Sequence, residues 1–354
     1  MKKIANTVLL TMALLFLSAC LICQDLEHKV LQAYELRMKG NIQEAKIILE
    51  NILDKDSTSA MACYEMARLL NDLNVMDTEG ILDYCSKAVQ NEPENAYYVF
   101  YKADKLFHSA YIAMHGEDNN KIKTAIDKTC NAFEQVLAMK PDCKEAMLYL
   151  IDIYAVLPEE MGGDKEKAEH YVKMLKDLDP FYGVRGRSIL LGEEGSEIDF
   201  WEKYIAENGE TNEVLELLGR AYLMNNDPEN AEICFNKVIA SDPSKQILFL
   251  HLARAHMYRA MQERASEDKE LPLVKKYFNK YLDSDIDKPV NIEAWCYGIL
   301  SMVEKGMGNK EQSDIYLQKA TALNPNFSRA SAIPSVDNPP NKHSYYYSSY
   351  FRPF

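Results

Sequence analysis

The stretch that decides the fold is residues 215–243, LELLGRAYLMNNDPENAEICFNKVIASDP. Leu215, Leu218 and Tyr222 are spaced three and four residues apart, which places their side chains in one stripe along a helix. A second run of helix-forming residues follows and stops at Pro243, because proline cannot continue a helix. The stretch therefore predicts two helices joined by a short turn.

The remaining positions of this stretch indicate how the two helices pack. Gly219 lets a neighbouring helix approach closely, and Ala231 is small at the point where the second helix crosses the first. Asp227 and Pro228 are typical of an N-cap and of the first residue of a helix. With Phe235 they complete a pattern that resembles a tetratricopeptide repeat, a helical hairpin, with leucine where that family usually has tryptophan.

The hairpin pattern recurs along the chain. Prolines at the position that ends a second helix are Pro93, Pro141, Pro180, Pro243, Pro289 and Pro325, with spacings of 48, 39, 63, 46 and 36 residues. The spacing of 63 is nearly twice the usual period of about 34 residues, so a degenerate hairpin is expected between residues 181 and 209. Spacings of 46–48 predict overlong first helices over residues 97–114 and 246–262.

With a further unit before Pro93, the count is about eight hairpins. No stretch alternates apolar and polar residues long enough to predict a sheet. The resemblance implies an all-α, right-handed superhelical solenoid over residues 20–325. Residues 1–19 are predicted to be a signal segment and residues 326–354 a Pro/Ser/Tyr-rich tail. Such a tail either caps the last hairpin or binds a partner, and the sequence leaves both interpretations open.

The N-terminus predicts secretion. Lys2 and Lys3 precede an apolar run over residues 8–17, which is the order of a signal peptide. Leu17-Ser18-Ala19-Cys20 resembles the lipobox of bacterial lipoproteins, which implies lipidation of Cys20. Leu21 stands where the family's inner-membrane retention signal has aspartate, so attachment to the outer membrane is expected, facing the periplasm. The alternative is ordinary cleavage of a signal peptide, in which Cys20 is not lipidated and has no special role.

Charge and cysteine content exclude several classes of protein. The formal net charge is −14 and the isoelectric point is near 5.1, which argues against nucleic-acid binding. Residues 1–19 and 326–354 each carry +2, so residues 20–325 carry −18. Eight cysteines are too few for a disulfide scaffold. One bridge, Cys130 to Cys143, is considered because these residues flank one turn between hairpins.

The sequence predicts no catalytic, cofactor or metal site. It contains no H-E-x-x-H, G-x-S-x-G or phosphate-binding G-x-x-x-x-G-K pattern. The glycine-rich segments 162–164 and 306–310 are interpreted as turns, with Asp164 as an N-cap. His251 and His256 are five apart, a poor spacing for two ligands on one helix face, and His256 is expected to be packed in the core. The protein is therefore not expected to be an enzyme.

With no catalytic, cofactor or metal site predicted, the functional feature that the sequence indicates is a binding surface. The resemblance implies that the first helices of the hairpins line a concave face, and seven residues fall at positions expected to be exposed there. They are Tyr34, Arg37, Tyr64, Arg68, Arg220, Arg254 and Tyr258. Three of these arginines, Arg68, Arg220 and Arg254, occupy the same position of the first helix in their units. This recurrence favours binding of carboxylates or of an extended acidic peptide. The alternative is a solvated face with local ion pairs, such as Glu216 with Arg220.

The predicted function is a membrane-anchored scaffold in the periplasm that binds a protein partner through this face and carries no cofactor. The alternative is a ligand-capturing accessory of an envelope transport system. That function requires the solenoid to close around an apolar cavity, whereas the scaffold requires only an accessible face.

Overall fold

The computed structural model describes residues 24–73, 77–114, 116, 118–191, 196–262, 267–286, 288–325 and 340. Within these residues the chain forms sixteen α-helices and no strand. The helices are 24–38 (α1), Ile42–Leu53 (α2), Ala60–Leu73 (α3), Thr78–Asn91 (α4), Ala96–Ala113 (α5), Asn119–Met139 (α6), Lys144–Val156 (α7), Lys165–Leu178 (α8), Pro180–Leu190 (α9), Glu197–Asn208 (α10), Asn212–Met224 (α11), Pro228–Ser241 (α12), Leu248–Gln262 (α13), Glu267–Leu282 (α14), Val290–Gly306 (α15) and Lys310–Leu323 (α16).

Consecutive helices pair into eight hairpins, as predicted, and each hairpin packs on the next one. The odd-numbered helices are the first helices of the hairpins, and the even-numbered helices are the second helices. The hairpin inferred from proline spacing alone is present as α9 and α10, with the gap of residues 192–195 between them. It is irregular, because α9 packs mainly against α7 and α8 rather than against α10. The all-α solenoid is therefore confirmed.

The hairpin formed by α11 and α12 shows why its sequence decides the fold. Ala231 and Phe235 are fully buried, and Leu215 and Leu218 are nearly so. A Cβ atom placed on Gly219 would lie 2.3 Å from Cε1 of Phe235. Glycine at position 219 is thus required by the close approach of the Phe235 ring, as the pattern predicted.

The helices also begin and end next to the residues that the sequence predicted for these boundaries. The Asp227 carboxylate accepts a hydrogen bond from the Asn230 backbone N–H at 3.0 Å, so Asp227 is the N-cap of α12. Asp164 caps α8 in the same way through Lys167 N–H, at 3.0 Å. Each of the six prolines follows the end of a second helix within seven residues. The glycine-rich segment at 162–164 is therefore a turn.

Of the two predicted overlong helices, one is confirmed and one is modified. Helix α5, at 18 residues, covers nearly all of the predicted segment 97–114. The segment 246–262 begins in a 3₁₀ turn, Pro243–Ile247, and only then continues as α13. The longest helix among the described residues is α6, with 21 residues, which the sequence pattern did not single out.

The two ends of the solenoid touch each other. Gly40, in the turn between α1 and α2, is buried and has a positive φ of 79°. A Cβ atom placed on it would lie 3.1 Å from Asn324 Cβ and 3.1 Å from the Leu323 carbonyl oxygen, at the end of α16. The first and last hairpins are therefore in contact, and the array closes head to tail.

The six cysteines among the described residues are all free and buried. This includes Cys130 and Cys143, the pair considered for a disulfide, and burial raises the pKa of each thiol to about 11. The lipobox with Cys20, and the tail apart from Pro340, lie outside the described residues. No helix in the described part of the chain has both the length and the hydrophobicity to cross a membrane.

Candidate functional site

Polar and aromatic contacts connect the first helices directly to one another. The Arg37 Nε on α1 donates to Glu65 Oε1 on α3 at 2.7 Å. Tyr149 on α7 donates to Asp104 Oδ1 on α5, also at 2.7 Å. The first helices therefore form one layer, and we call the surface that carries these side chains the first-helix face. In this type of solenoid such a face is the usual ligand surface.

At the N-terminal end of this face lies a buried group of charges, the N-terminal charge cluster, which comprises Arg37, Glu65, Arg68 and Asp72. Arg37 pairs with both Glu65 and Asp72, and Arg68 Nη1 donates to Glu65 Oε2 at 3.1 Å. Both arginines also lie over the Tyr34 ring, at 5.6 Å for Arg37 and 5.4 Å for Arg68. Two positive and two negative side chains thus balance each other.

The structure corrects the expected exposure of three predicted site residues. Arg37 and Arg68 are 0% exposed and Tyr64 is 1% exposed, so these residues are not accessible groove positions. Tyr34 is half-buried. The carboxylates that stabilise the arginines were missed, although Glu65 lies three residues before Arg68 and therefore on the same side of α3.

The buried polar layer continues onto α5 and α7. Lys105 Nζ lies 3.0 Å from Asp104 Oδ2 and 4.9 Å from the centre of the Tyr101 ring. Asp104 is 2% exposed, Lys105 5% and Asp152, on α7, 6%. Sequence reasoning did not select these residues, because charged side chains within an apolar helix pattern give no signal of their own burial.

A tyrosine cluster lies between the charged groups of α3 and α5. It comprises Tyr64, Tyr97, Tyr98 and Tyr101, all nearly fully buried. The Tyr64 ring makes an edge contact with Tyr101 at 4.9 Å, and the hydroxyl groups of Tyr64 and Tyr97 are 2.6 Å apart. This half of the face is therefore rich in aromatic rings and guanidinium groups.

The C-terminal half of the face is more open and more basic. Arg220 Nη2 donates to Glu216 Oε1 at 2.5 Å, and its side chain is 24% exposed. Arg254 and His251, on α13, are half-buried. Burial, together with the charges of Arg220 and Arg254, holds the pKa of His251 well below 6.5. We call Arg220, His251 and Arg254 the C-terminal basic cluster.

Glu216 and Lys245 complete the surroundings of this cluster. Lys245 Nζ donates to Glu216 Oε2 at 3.0 Å. The Glu216 carboxylate therefore neutralises part of the positive charge of Arg220 and of Lys245. Burial would raise the pKa of Glu216, but Arg220 and Lys245 outweigh it, and the pKa is lowered. Tyr258, one turn beyond Arg254, is half-buried, and its hydroxyl accepts a hydrogen bond from Gln262 at 2.6 Å. Arg220 and Arg254 therefore both lie near enough to His251 to lower its pKa, and their role as ligand-binding residues stays a prediction.

His256 is a packed histidine, as predicted. It is 2% exposed, its ring stacks on Tyr277 at 5.3 Å, and Nδ1 lies 2.6 Å from Glu270 Oε2. Burial lowers its pKa, although Glu270 opposes the shift. In the described part of the chain no three His, Cys, Asp or Glu side chains are placed to hold a metal ion.

Two segments of the chain match the family model of the tetratricopeptide repeat. They are residues 213–245, which contain α11 and α12, and residues 296–327, which contain most of α15 and all of α16. The resemblance seen in the sequence is confirmed for these hairpins. A search of curated proteins gives no match.

Solved structures similar to this chain include three bacterial proteins with tetratricopeptide repeats. A thermophilic protein from Thermus thermophilus is 17% identical, covers 65% of this chain and 99% of its own, and has a TM-score of 0.41. A protein from Parabacteroides merdae is 13% identical, with coverage of 86% and 94% and a TM-score of 0.34. Part of a protein from Cytophaga hutchinsonii is 16% identical, with coverage of 84% and 96% and a TM-score of 0.32. These values are too low to transfer a function.

Proposed function

We propose that this chain is a lipid-anchored scaffold of the bacterial envelope that faces the periplasm and binds a protein partner through its first-helix face. The observation that carries the proposal is the convergence of Arg220 and Arg254 around His251. These cations lie on a body whose net charge is strongly negative. A local basic region in an acidic body favours an anionic ligand.

The chemistry of the cluster favours an extended acidic segment of a protein. Guanidinium groups bind carboxylates through paired, charge-assisted hydrogen bonds, and a single contact of this kind contributes about 1.5–3 kcal/mol. Tyr258, one helical turn beyond Arg254, adds an aromatic ring with a polar end. A solenoid presents such groups in a row, which suits a peptide that lies across several hairpins.

The test is charge reversal of the two accessible arginines. Arg220→Glu with Arg254→Glu is expected to weaken partner capture more than tenfold, because two charge-assisted contacts are lost. Capture by the unaltered protein is expected to fall as salt rises, since exposed charges are screened beyond about 10 Å at 0.1 M salt. Quantitative pull-down from envelope extracts, with circular dichroism as the check on folding, gives the measurement.

The matched control reverses two exposed lysines on second helices, Lys173→Glu and Lys237→Glu. This variant changes the net charge by the same amount and is expected to retain capture. Equal loss in both variants would show a non-specific charge effect. Full capture by the arginine variant would show that the first-helix arginines are only a solvated face.

The anchor is tested separately. Cys20→Ala is expected to abolish incorporation of a fatty-acid probe and to leave the chain as an uncleaved precursor, because only the thiol forms the thioether. Cys23→Ala is the neighbouring control and is expected to incorporate the probe normally. Label that survives in Cys20→Ala would contradict the lipobox.

The second candidate, capture of a small ligand for a transport system, is favoured by the contact between Gly40 and the end of α16. A closed array is the geometry that this function requires. The polar, aromatic first-helix face instead suits a peptide, so the scaffold is preferred. A small molecule that copurifies with the protein in equal molar amount would reverse this preference.

A further inference from the structure

Exposed methionines accompany the arginines of the C-terminal basic cluster. Among the described residues nine large apolar side chains are exposed, and five of them are methionines. Three lie on the successive first helices α11, α13 and α15: Met224 is 38% exposed, Met261 74% and Met302 46%. Exposed apolar residues that are scattered singly need no explanation. Three on neighbouring first helices form a group instead, which we call the methionine patch.

Helix periodicity places two of these methionines on the same side of their helices as an arginine. Residues four apart lie one turn apart on one side of a helix, so Met224 lies one turn beyond Arg220 on α11. Met261 lies seven residues, or about 10 Å along the helix axis, beyond Arg254 on α13. Each arginine is therefore followed by an exposed methionine toward the C-terminal end of its helix.

The last hairpin carries a methionine at the arginine position itself. The turn residues Asn226 and Gly308 correspond, because both have a positive φ, of 57° and 81°, and each lies two residues before a second helix. Arg220 and Met302 each lie six residues before that turn residue. One helix position on three successive first helices is therefore occupied by Arg220, Arg254 and Met302.

The N-terminal half of the face differs at the corresponding positions. Arg68 occupies the arginine position of α3, and the residue one turn beyond it is Asp72, which pairs with Arg37. On α11 the residue one turn beyond the arginine is Met224 instead. The C-terminal half therefore combines cations with exposed apolar side chains, whereas the N-terminal half balances its cations with buried carboxylates.

This combination favours a ligand that is both acidic and apolar. Guanidinium groups bind carboxylates, and cations in a strongly acidic body favour an anionic ligand. Methionine is unbranched and polarisable, so it adapts to apolar side chains of different shapes. A ligand with carboxylates alone would leave the methionine patch in water. A segment that also carries a large apolar side chain would cover the patch as well.

The spacing of the helices sets the spacing of these groups along the ligand. Neighbouring first helices lie about 10 Å apart, and an extended chain covers about 3.3 Å per residue. One step from helix to helix therefore corresponds to about three residues of an extended segment. The row of Arg220, Arg254 and Met302 matches two carboxylates three residues apart and a large apolar side chain three residues further.

We propose that the methionine patch is the apolar subsite for an acidic segment of a protein partner. The segment places carboxylates three residues apart on Arg220 and Arg254 and a large apolar side chain, three residues further, on Met302. The row can be read in either chain direction. This inference rests on the proposed function, because it takes the first-helix face as the partner-binding surface.

Labelled synthetic peptides and the full-length protein test the subsite. One probe carries Glu-x-x-Glu-x-x-Phe, with glycine and serine at the other positions, and a second probe has the reverse order. In the matched probes serine replaces phenylalanine. At least one phenylalanine probe is expected to bind about tenfold more tightly than its serine counterpart, because one large apolar side chain is removed from water. Fluorescence anisotropy gives the affinities.

A matched pair of protein variants locates the apolar contact. Met302→Ser is expected to remove the preference, so that the phenylalanine and serine probes bind alike. Ile315→Ser, at a 40% exposed position of the second helix α16 in the same hairpin, is the control and is expected to retain the preference. A preference that persists in Met302→Ser, or one that is lost equally in Ile315→Ser, would overturn the proposal. Circular dichroism checks that both variants are folded.

Failure of the apolar subsite is distinguishable from failure of the proposed function. Equal binding of the phenylalanine and serine probes that is lost in Arg220→Glu with Arg254→Glu would overturn the methionine subsite and leave the acidic ligand in place. Binding that survives reversal of both arginines, or no binding of any probe, would overturn both.

Discussion

At the scale of single residues, the shape of a hairpin depends on a few positions where two helices meet. Gly219 faces Phe235, whereas the equivalent pair in the second hairpin is Ala67 and Cys85. In the last hairpin the hydroxyl groups of Ser301 and Ser313, at the positions of Gly219 and Ala231, lie 3.1 Å apart. Glycine at 219 thus accommodates the large Phe235 ring, whereas the other two hairpins have small residues on both helices at these contacts, as close packing requires.

Replacement of Gly219 by alanine tests this complementarity. Gly219→Ala places a methyl group within 2.3 Å of the Phe235 ring and is expected to destabilise the protein by about 1–3 kcal/mol through overpacking. Gly306→Ala, near the end of α15, meets only the tip of Leu271 at 3.2 Å and is expected to be nearly neutral. Urea denaturation of both variants gives the comparison. Equal stability of the two variants would contradict the assigned role of Gly219.

Three histidines make stability depend on pH. Burial lowers the pKa of His108, His251 and His256, and Arg220 and Arg254 lower that of His251 further. The unfolded chain therefore binds more protons than the folded chain below about pH 6.5, and stability falls as pH decreases through that value. The lowered pKa of Glu216 affects stability mainly below about pH 4.5, which is outside the pH range in which the histidines titrate.

The thermal midpoint is accordingly expected to fall between pH 7.5 and pH 5.5. His251→Gln with His256→Gln is expected to weaken this dependence, because two of the three histidines with a lowered pKa are removed and only His108 remains. His28→Gln, at an exposed position of α1, is the control and should leave the slope unchanged. A midpoint of the unaltered protein that is constant over this range would contradict the burial of these three histidines.

At the scale of helices, periodic signals in the sequence were reliable and charge signals were not. Spacing between prolines predicted even the irregular hairpin of α9 and α10, because a second helix must end before each proline. The burial of Arg37 was not predictable, since it depends on Glu65 and Asp72 of the neighbouring helix α3. Arg68 pairs with Glu65 of its own helix, but the sequence does not show that Tyr34 of α1 lies against this pair. Arg220 and Arg254 are less buried, with the Arg220 side chain 24% exposed, and their role in ligand binding stays a prediction.

The N-terminal charge cluster is expected to be sensitive to loss of one partner. Glu65→Ala leaves Arg37 and Arg68 with too little compensation in a buried site and is expected to cost about 3–5 kcal/mol. Glu169→Ala removes the partner of Arg187 at an exposed pair and is expected to cost less than about 1 kcal/mol. Chemical denaturation measures both. A small loss in Glu65→Ala would show that the cluster is solvated.

At the scale of the whole molecule, contact between the first and last hairpins turns the array into a closed unit. The turns at Gly40 and Gly308 are alike in backbone, with φ of 79° and 81°. They differ in surroundings, because a Cβ on Gly308 would have no atom within 4 Å. The head-to-tail contact is thus the feature that distinguishes the two glycines.

This difference provides a matched pair of variants. Gly40→Ala and Gly308→Ala carry the same backbone strain, but only Gly40→Ala places a methyl group against Asn324. Gly40→Ala is therefore expected to increase the radius of gyration and to speed hydrogen exchange in α16, whereas Gly308→Ala leaves the radius unchanged. Small-angle X-ray scattering gives the radius. Equal radii for the two variants would contradict closure of the array.

Photo-crosslinking in living cells tests the central claim, that the first-helix face is the partner-binding surface. The photo-reactive residue is placed at Tyr258 on α13 or at Ile233 on α12, a second-helix position that is 58% exposed. The predicted result is one defined protein adduct from position 258 that is lost in Arg220→Glu with Arg254→Glu, and no such adduct from position 233. An adduct of equal yield from position 233, or one from position 258 that survives reversal of both arginines, would contradict it.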